Sequence, residues 1–144
     1  MLKLIAATAA CLLAAPAPAG DVVVTLEGVK DKGGKMMVSL YDEKTFMSAS
    51  PTFLAEQAVD GAASVTVTFR NVPVGEYAVA AFHDANGDER MSMGADGRLG
   101  EGTALSNAEV MRGPPSFAVN KVAVPAGDYK GTLRMSYPED RSGW

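Results

Sequence analysis

The chain has 144 residues, 47% hydrophobic and 21% charged, with 13 Lys and Arg against 17 Asp and Glu for a formal net charge of −4. That length suits one domain able to bury a core without staples, and the acidic balance argues against nucleic acid and anionic membrane surfaces as partners, since both need a basic footprint. One Cys and one His exclude a Cys/His zinc cluster, an iron–sulfur cluster and an internal disulfide.

Met1-Leu2-Lys3 is a short positive start, and Leu4 to Ala15 is an apolar run too short to span a bilayer as a helix. Ala17-Pro18-Ala19 then puts small residues where a signal peptidase reads. This predicts a secretory signal peptide over residues 1–19, cleaved near Ala19, and a single domain over 20–144 in the periplasm or outside the cell. A buried N-terminal helix is the alternative, but the run has no polar face. Cys11 follows Thr8-Ala9-Ala10 without a large aliphatic residue, which disfavours a lipid anchor on that cysteine.

Asp21 to Glu27 alternates, with Val22, Val24 and Leu26 on one side. Asp31-Lys-Gly-Gly-Lys35 reads as a turn and Met36 to Asp42 as a partner strand, so a β-hairpin is expected. Phe53 to Gln57 has the composition of a short helical turn. Ala63 to Arg70 alternates again, with Val65, Val67 and Phe69 opposite Ser64, Thr66, Thr68 and Arg70. Glu76 to His83 is apolar on both faces, as a central strand should be. Phe117 to Val124 and Tyr129 to Tyr137 complete the strand set.

Pro73-Val-Gly75-Glu-Tyr77 echoes Pro125-Ala-Gly127-Asp-Tyr129, each following a strand-like run. Proline and glycine at those turn positions predict two sheet-reversing corners. The tyrosine after each corner can bury its ring while its hydroxyl finds a backbone partner. Six or seven short strands with such corners predict an all-β fold, an antiparallel sandwich of about seven strands with one long ordered loop.

That loop runs from Asp84 to Ser116. A patternless stretch of this length in a compact domain is functional or disordered, and Met91, Met93, Leu99, Leu105 and Met111 give it groups that favour burial. Asp84-x-Asn86-x-Asp88 offers alternate oxygens to one hard cation, as in the first half of a calcium loop. The backbone carbonyl of Arg90 would supply the next oxygen. Glu89 stands where an EF-hand requires glycine, and Ala95 where its closing glutamate belongs, so the loop is not an EF-hand. A different calcium loop could close with Asp96 or Glu101 folded back. The competing reading is turn chemistry alone, with Asp and Asn bonding their own backbone.

His83 ends the central strand beside Asp84 and shares a face with Tyr77, Val79 and Ala81. Holding the turn by bonding loop backbone is its simplest role; metal ligand and catalytic base are the alternatives. Ser92, Ser106 and Ser116 lie in the loop without a Gly-x-Ser-x-Gly elbow. Glu101 and Asp96 are the carboxylates an acid/base mechanism would use. Gly113-Pro-Pro-Ser-Phe117 makes a stiff exit from the loop, with Phe117 as an anchor.

His83-Asp84-x-Asn86-Gly-Asp88, Gly100-Glu101-Gly102, Ser106-Asn107 and Gly113-Pro-Pro-Ser-Phe117, in that order and preceded by Pro73-x-Gly75-x-Tyr77-Ala78-Val79, resemble the signature of the DUF2141 family. The resemblance covers nearly all of the chain after residue 19. It implies an exported bacterial protein with one Ig-like or prealbumin-like β-sandwich, and no established activity. It marks His83, Asp84, Asn86, Glu101, Ser106 and Asn107 as the positions of interest. Asp88 stands where many members have Asn, and Arg90-Met-Ser-Met-Gly94 departs from the usual run of Lys and Asp.

The expected function is a non-catalytic binding or accessory module of the cell envelope. Asp84, Asn86, Asp88 and Arg90 are its candidate metal residues, with Ca²⁺ as the candidate ion. His83, Glu101, Ser106 and Asn107 are its candidate ligand or partner residues, toward a protein or small molecule of the envelope. The alternatives are a metal-assisted or acid/base hydrolase using His83 and Glu101, and a purely structural envelope protein open to strand addition.

Overall fold

The computed structural model describes residues 18–91 and 100–141. The expected signal peptide, Cys11 and Asp96 lie outside them, apart from Pro18 and Ala19. Among the described residues the chain forms eight strands: β1 (Ala19–Glu27), β2 (Lys35–Tyr41), β3 (Phe53–Ala58), β4 (Ser64–Pro73), β5 (Gly75–Asp84), β6 (Thr103–Leu105), β7 (Lys121–Val124) and β8 (Tyr129–Arg134). A one-turn helix, α1 (Phe117–Asn120), precedes β7, and two 3-10 turns cover Ala108–Val110 and Pro138–Arg141. No helix among the described residues is long and apolar enough to cross a membrane.

Two sheets pack face to face. One has the order β4-β1-β8; the other has the order β3-β2-β5-β6, with β7 also pairing with β5 beyond β6. Alternation sets which side chains enter the core between them. Val22, Val24 and Leu26 of β1 and Val65, Val67 and Phe69 of β4 meet Met36, Val38 and Leu40 of β2 and Val79 and Ala81 of β5. The fold is therefore the all-β sandwich expected, with eight strands rather than about seven. It is not wholly antiparallel, because β1 pairs with β8 in parallel, Val22 opposite Tyr129 through Glu27 opposite Arg134.

Three local expectations give way to tertiary packing. The β1–β2 hairpin does not form: β1 pairs with β4 and β8, and β2 with β3 and β5. Segment 28–34 instead crosses between sheets, with Val29 buried and its N–H donated to the Ala63 carbonyl at 3.0 Å. Both strands carry an apolar face, and facing each other across the core buries both. Phe53 to Gln57 is not helical but lies in β3, paired antiparallel with β2 from Leu40–Phe53 to Lys35–Ala58. Its helix-favouring Leu-Ala-Glu-Gln is overruled by ladder bonds and by Phe53 and Ala55 packing on the core. The predicted Phe117–Val124 strand begins as α1, because the Asn120 side-chain carbonyl accepts the Ser116 N–H at 3.0 Å and the Asn120 backbone N–H donates to the Ser116 carbonyl at 2.9 Å.

Both Pro-x-Gly-x-Tyr segments are corners that carry the chain from one sheet to the other. Pro73–Gly75 links β4 to β5, and the second segment links β7 to β8. At the first, Tyr77 is buried and its hydroxyl donates to the Pro73 carbonyl at 2.9 Å. β5 thus lies at the centre of its sheet, with its C-terminal end carrying His83 and Asp84.

Candidate metal centre at the end of β5

The site starts from a congested backbone. Segment 28–34 presses against the end of β5 so closely that a Cβ on Gly34 would lie 2.1 Å from the Asp84 carbonyl oxygen, and Gly34 also takes a left-handed φ of 67°. Only glycine fits there. From the other side, Gly102 brings the returning loop onto the Tyr137 ring, where a Cβ would meet ring carbon at 2.4 Å. Its carbonyl accepts the His83 N–H at 2.8 Å, and Thr103 and Ser136 exchange backbone bonds of 2.9 and 2.8 Å. Three segments distant in sequence therefore converge on His83 and Asp84.

His83 is buried, and both its ring nitrogens are engaged. Nε2 lies 2.7 Å from the Gly33 carbonyl, which can only accept, so Nε2 carries the proton. Nδ1 then accepts from the Tyr137 hydroxyl at 2.8 Å in the neutral ring, and that hydroxyl accepts the Lys30 N–H at 3.0 Å. The imidazole ties β5 to segment 28–34 and to Tyr137. It bonds loop backbone, but the loop is 28–34 rather than the one that follows Asp84.

Asp84 is fully buried and organises the following turn. Its Oδ1 accepts the Gly87 N–H at 3.0 Å and its Oδ2 the Glu89 N–H at 2.9 Å. Asn86 Oδ1 accepts the Asp88 N–H at 3.3 Å, and Asp88 Oδ1 the Arg90 N–H at 3.0 Å. Glu89, standing where a calcium loop turns sharply on glycine, has a φ of 60°. The sharp left-handed turn is made with a glutamate. Lys35 holds that glutamate in place, its Nζ lying 2.8 Å from both Glu56 and Glu89 carboxylates. Those two partners, Glu56 first, raise the Lys35 pKa.

Glu101 returns to this turn from across the loop and is 8% exposed. One carboxylate oxygen each from Asp84, Asp88 and Glu101 lie within 4.8 Å of one another. Oxygens bound to one calcium ion at about 2.4 Å can be at most about 5 Å apart, so this spacing fits a single ion. The donor set is hard oxygen only, suited to Ca²⁺ or Mg²⁺ rather than to a soft metal. Asp84 and Glu101 are buried while Asp88 is exposed, which gives the cluster one open side. Turn chemistry and an oxygen cluster coexist in the same residues: each Asp84 oxygen accepts one N–H and keeps a lone pair.

The expected metal residues are thus divided. Asp84 and Asp88 converge; the Asn86 side chain bonds within the turn; Arg90 is exposed and contributes an N–H to Asp88. Glu101 joins these two carboxylates. Ser106 and Asn107 lie elsewhere, beside α1. Ser106 is buried, with its hydroxyl accepting the Val79 N–H at 2.9 Å and donating to the Asn120 carbonyl. Asn107 donates to the Val119 and Lys121 carbonyls at 3.1 and 3.0 Å, and Asn120 to the Ser106 carbonyl at 2.8 Å. These residues staple the loop exit to β5 and α1. Sequence reasoning passed over Tyr137 and Asn120, which complete the two polar networks. Both sit in runs read as strand, where alternation carries no sign of such a partner.

No curated protein and no solved structure matches the chain. The family model described as an uncharacterized protein conserved in bacteria, DUF2141, matches residues 24–131, a span that holds the Asp84 turn, Glu101 and the Ser106–Asn120 staple. The chain belongs to the DUF2141 family.

Proposed function

We propose that this protein is an exported, non-catalytic binding or accessory module of the bacterial envelope. Its Asp84, Asp88 and Glu101 carboxylates hold Ca²⁺, and the turn from Asp84 to Arg90 presents a surface to a ligand or partner. The observation that carries the reading is the meeting of the Asp84, Asp88 and Glu101 carboxylates, two of them buried, within 4.8 Å at the end of a central strand. Three negative charges so close repel strongly in a partly buried setting, and a divalent cation would offset that cost. Sandwiches commonly display function on loops at one end. Export rests on the pattern of residues 1–19, a positive start, an apolar run and small residues before the cut. Against acid/base chemistry, His83 has both nitrogens in hydrogen bonds and a hydroxyl and a carbonyl as its partners.

Thermal unfolding in EDTA, then in millimolar Ca²⁺, Mg²⁺ or Zn²⁺, tests the metal. Calcium at a hundred times its dissociation constant stabilises the native state by about 2.7 kcal/mol, a rise of several degrees. The rise should disappear in Asp88→Asn and Glu101→Gln while the EDTA midpoint of the exposed Asp88→Asn stays near that of the parent. No shift with any ion refutes the metal reading.

A further inference from the structure

The two sheets are unequal. On one side of the sandwich β3 and β4 close the edges against each other. On the other side, among the described residues, β8 ends its sheet with a neighbour, β1, on one flank only, while the facing sheet continues to β6 and β7. The place beside β8 and opposite β6 and β7 holds no strand among the described residues. A groove of about 700 Å³ runs there, lined by Val24, Val79, Val122 and Leu133 together with the charged Lys30, Glu109, Arg134 and Asp140. It is bounded at one end by the Thr103–Ser136 bridge.

We propose that this groove is a strand-acceptor site, in which an extended peptide of a partner protein pairs with the edge of β8 and completes the sandwich. Its recognition chemistry follows from the alternation of β8. Tyr129, Gly131 and Leu133 turn toward the core and Lys130, Thr132 and Arg134 toward solvent. A strand added beside them directs alternate side chains onto the apolar lining residues and the others beside Lys130 and Arg134. Neither cation makes an ion pair among the described residues, although Glu27 is the register partner of Arg134 on β1. The fitting peptide alternates apolar residues with Asp or Glu. A second copy of β8 fits poorly, since antiparallel pairing of two such edges sets Lys130 against Arg134 of the other copy, and lysine and arginine on an edge disfavour that association. This surface is separate from the carboxylate cluster, and its test is independent of metal.

The test uses a capped nine-residue peptide alternating Val and Glu, a scrambled peptide of the same composition, and an alternating Val and Lys peptide. Fluorescence anisotropy reads binding, and amide hydrogen exchange reads where it occurs. The Val/Glu peptide should bind and slow exchange in 129–134, the scramble should not, and K130E with R134E should lose at least tenfold for Val/Glu while gaining for Val/Lys. Both substitutions are at exposed positions, and an unchanged melting temperature verifies the fold. Any of three results overturns the proposal: no binding of Val/Glu up to 1 mM, equal binding of the scramble, or protection of β3 or β4 instead of β8. A concentration-dependent dimer that protects β8 without peptide also overturns it, in favour of self-association.

Discussion

At the residue scale, the lone histidine shows how burial sets a role. A histidine beside an aspartate invites a catalytic or ligand reading, yet His83 spends both nitrogens on Gly33 and Tyr137. Removing it takes a partner from the Gly33 carbonyl, on an exposed residue, and from the buried Tyr137 hydroxyl, and opens a cavity. His83→Ala should cost about 2–4 kcal/mol in urea unfolding. Because Tyr137 belongs to the same chain of bonds, Tyr137→Phe and His83→Ala together should cost less than their separate effects added. Additive losses would mean that the two side chains act independently. The residue alone, on its alternating strand, could be placed toward the interior from sequence; its partners could not, because Gly33 and Tyr137 lie 50 and 54 positions away.

At the element scale, the Pro-x-Gly-x-Tyr echo was legible as two corners, and both carry the chain between sheets. The two tyrosines differ in what they do there. Tyr77 is buried and bonds Pro73, four residues back, whereas Tyr129 is partly buried with its ring leaning over Gly131. Tyr77→Phe should therefore lower stability by about 1 kcal/mol, with Tyr129→Phe close to neutral, as measured by denaturant midpoint at unchanged slope. β3 marks the opposite case. Phe53 to Gln57 carries weak local preference, so pairing with β2 decides its state. The Asp84 turn falls between these. Its Asp and Asn spacing announces a turn, and the left-handed Glu89 arises because Asp84 and Lys35 hold that residue from either side.

At the scale of the whole molecule, ion pairs tie the chain's distant ends. Lys32 and Lys30 reach Glu139 at 2.7 and 3.1 Å, and Lys30 reaches Asp140 at 2.8 Å. The hydrogen bond from Lys32, first among the causes, holds the Glu139 carboxyl down at about 2, below its usual 4.5. Lys30 likewise lowers Asp140, and the Thr45 N–H lowers Asp42. A carboxyl whose folded pKa is depressed contributes stability above its unfolded pKa and loses it as pH falls toward the folded value. Stability should thus decline between about pH 4.5 and 2. The decline should be modest, because these pairs are exposed and screened. Urea midpoints across that range should show it, and Lys32→Ala should flatten the slope; an unchanged slope would assign the decline to other carboxyls.

Sequence alone determined the strand positions with strict alternation, the two corners and the oxygen-bearing residues of the Asp84 turn, because each of these is written in neighbours a few positions apart; the stretch from Asp84 to Ser116, read as one patternless loop, instead holds β6 and a 3-10 turn at Ala108–Val110, since Thr103–Leu105 gains its ladder only from distant β5. It placed Val22, Val24, Leu26, Val65, Val67 and Phe69 in the core before any contact was visible. Tertiary structure decided which strands pair, that β1 and β2 face each other rather than form a hairpin, and that β8 runs parallel to β1. It also decided that Glu101 joins Asp84 and Asp88 and that Ser106 and Asn107 staple the loop exit. The physical reason is the same in each case. Local periodicity states which face of a segment is apolar, but not which other apolar face will cover it, and pairing between distant segments follows from the one arrangement that buries every such face and satisfies the polar groups left between them.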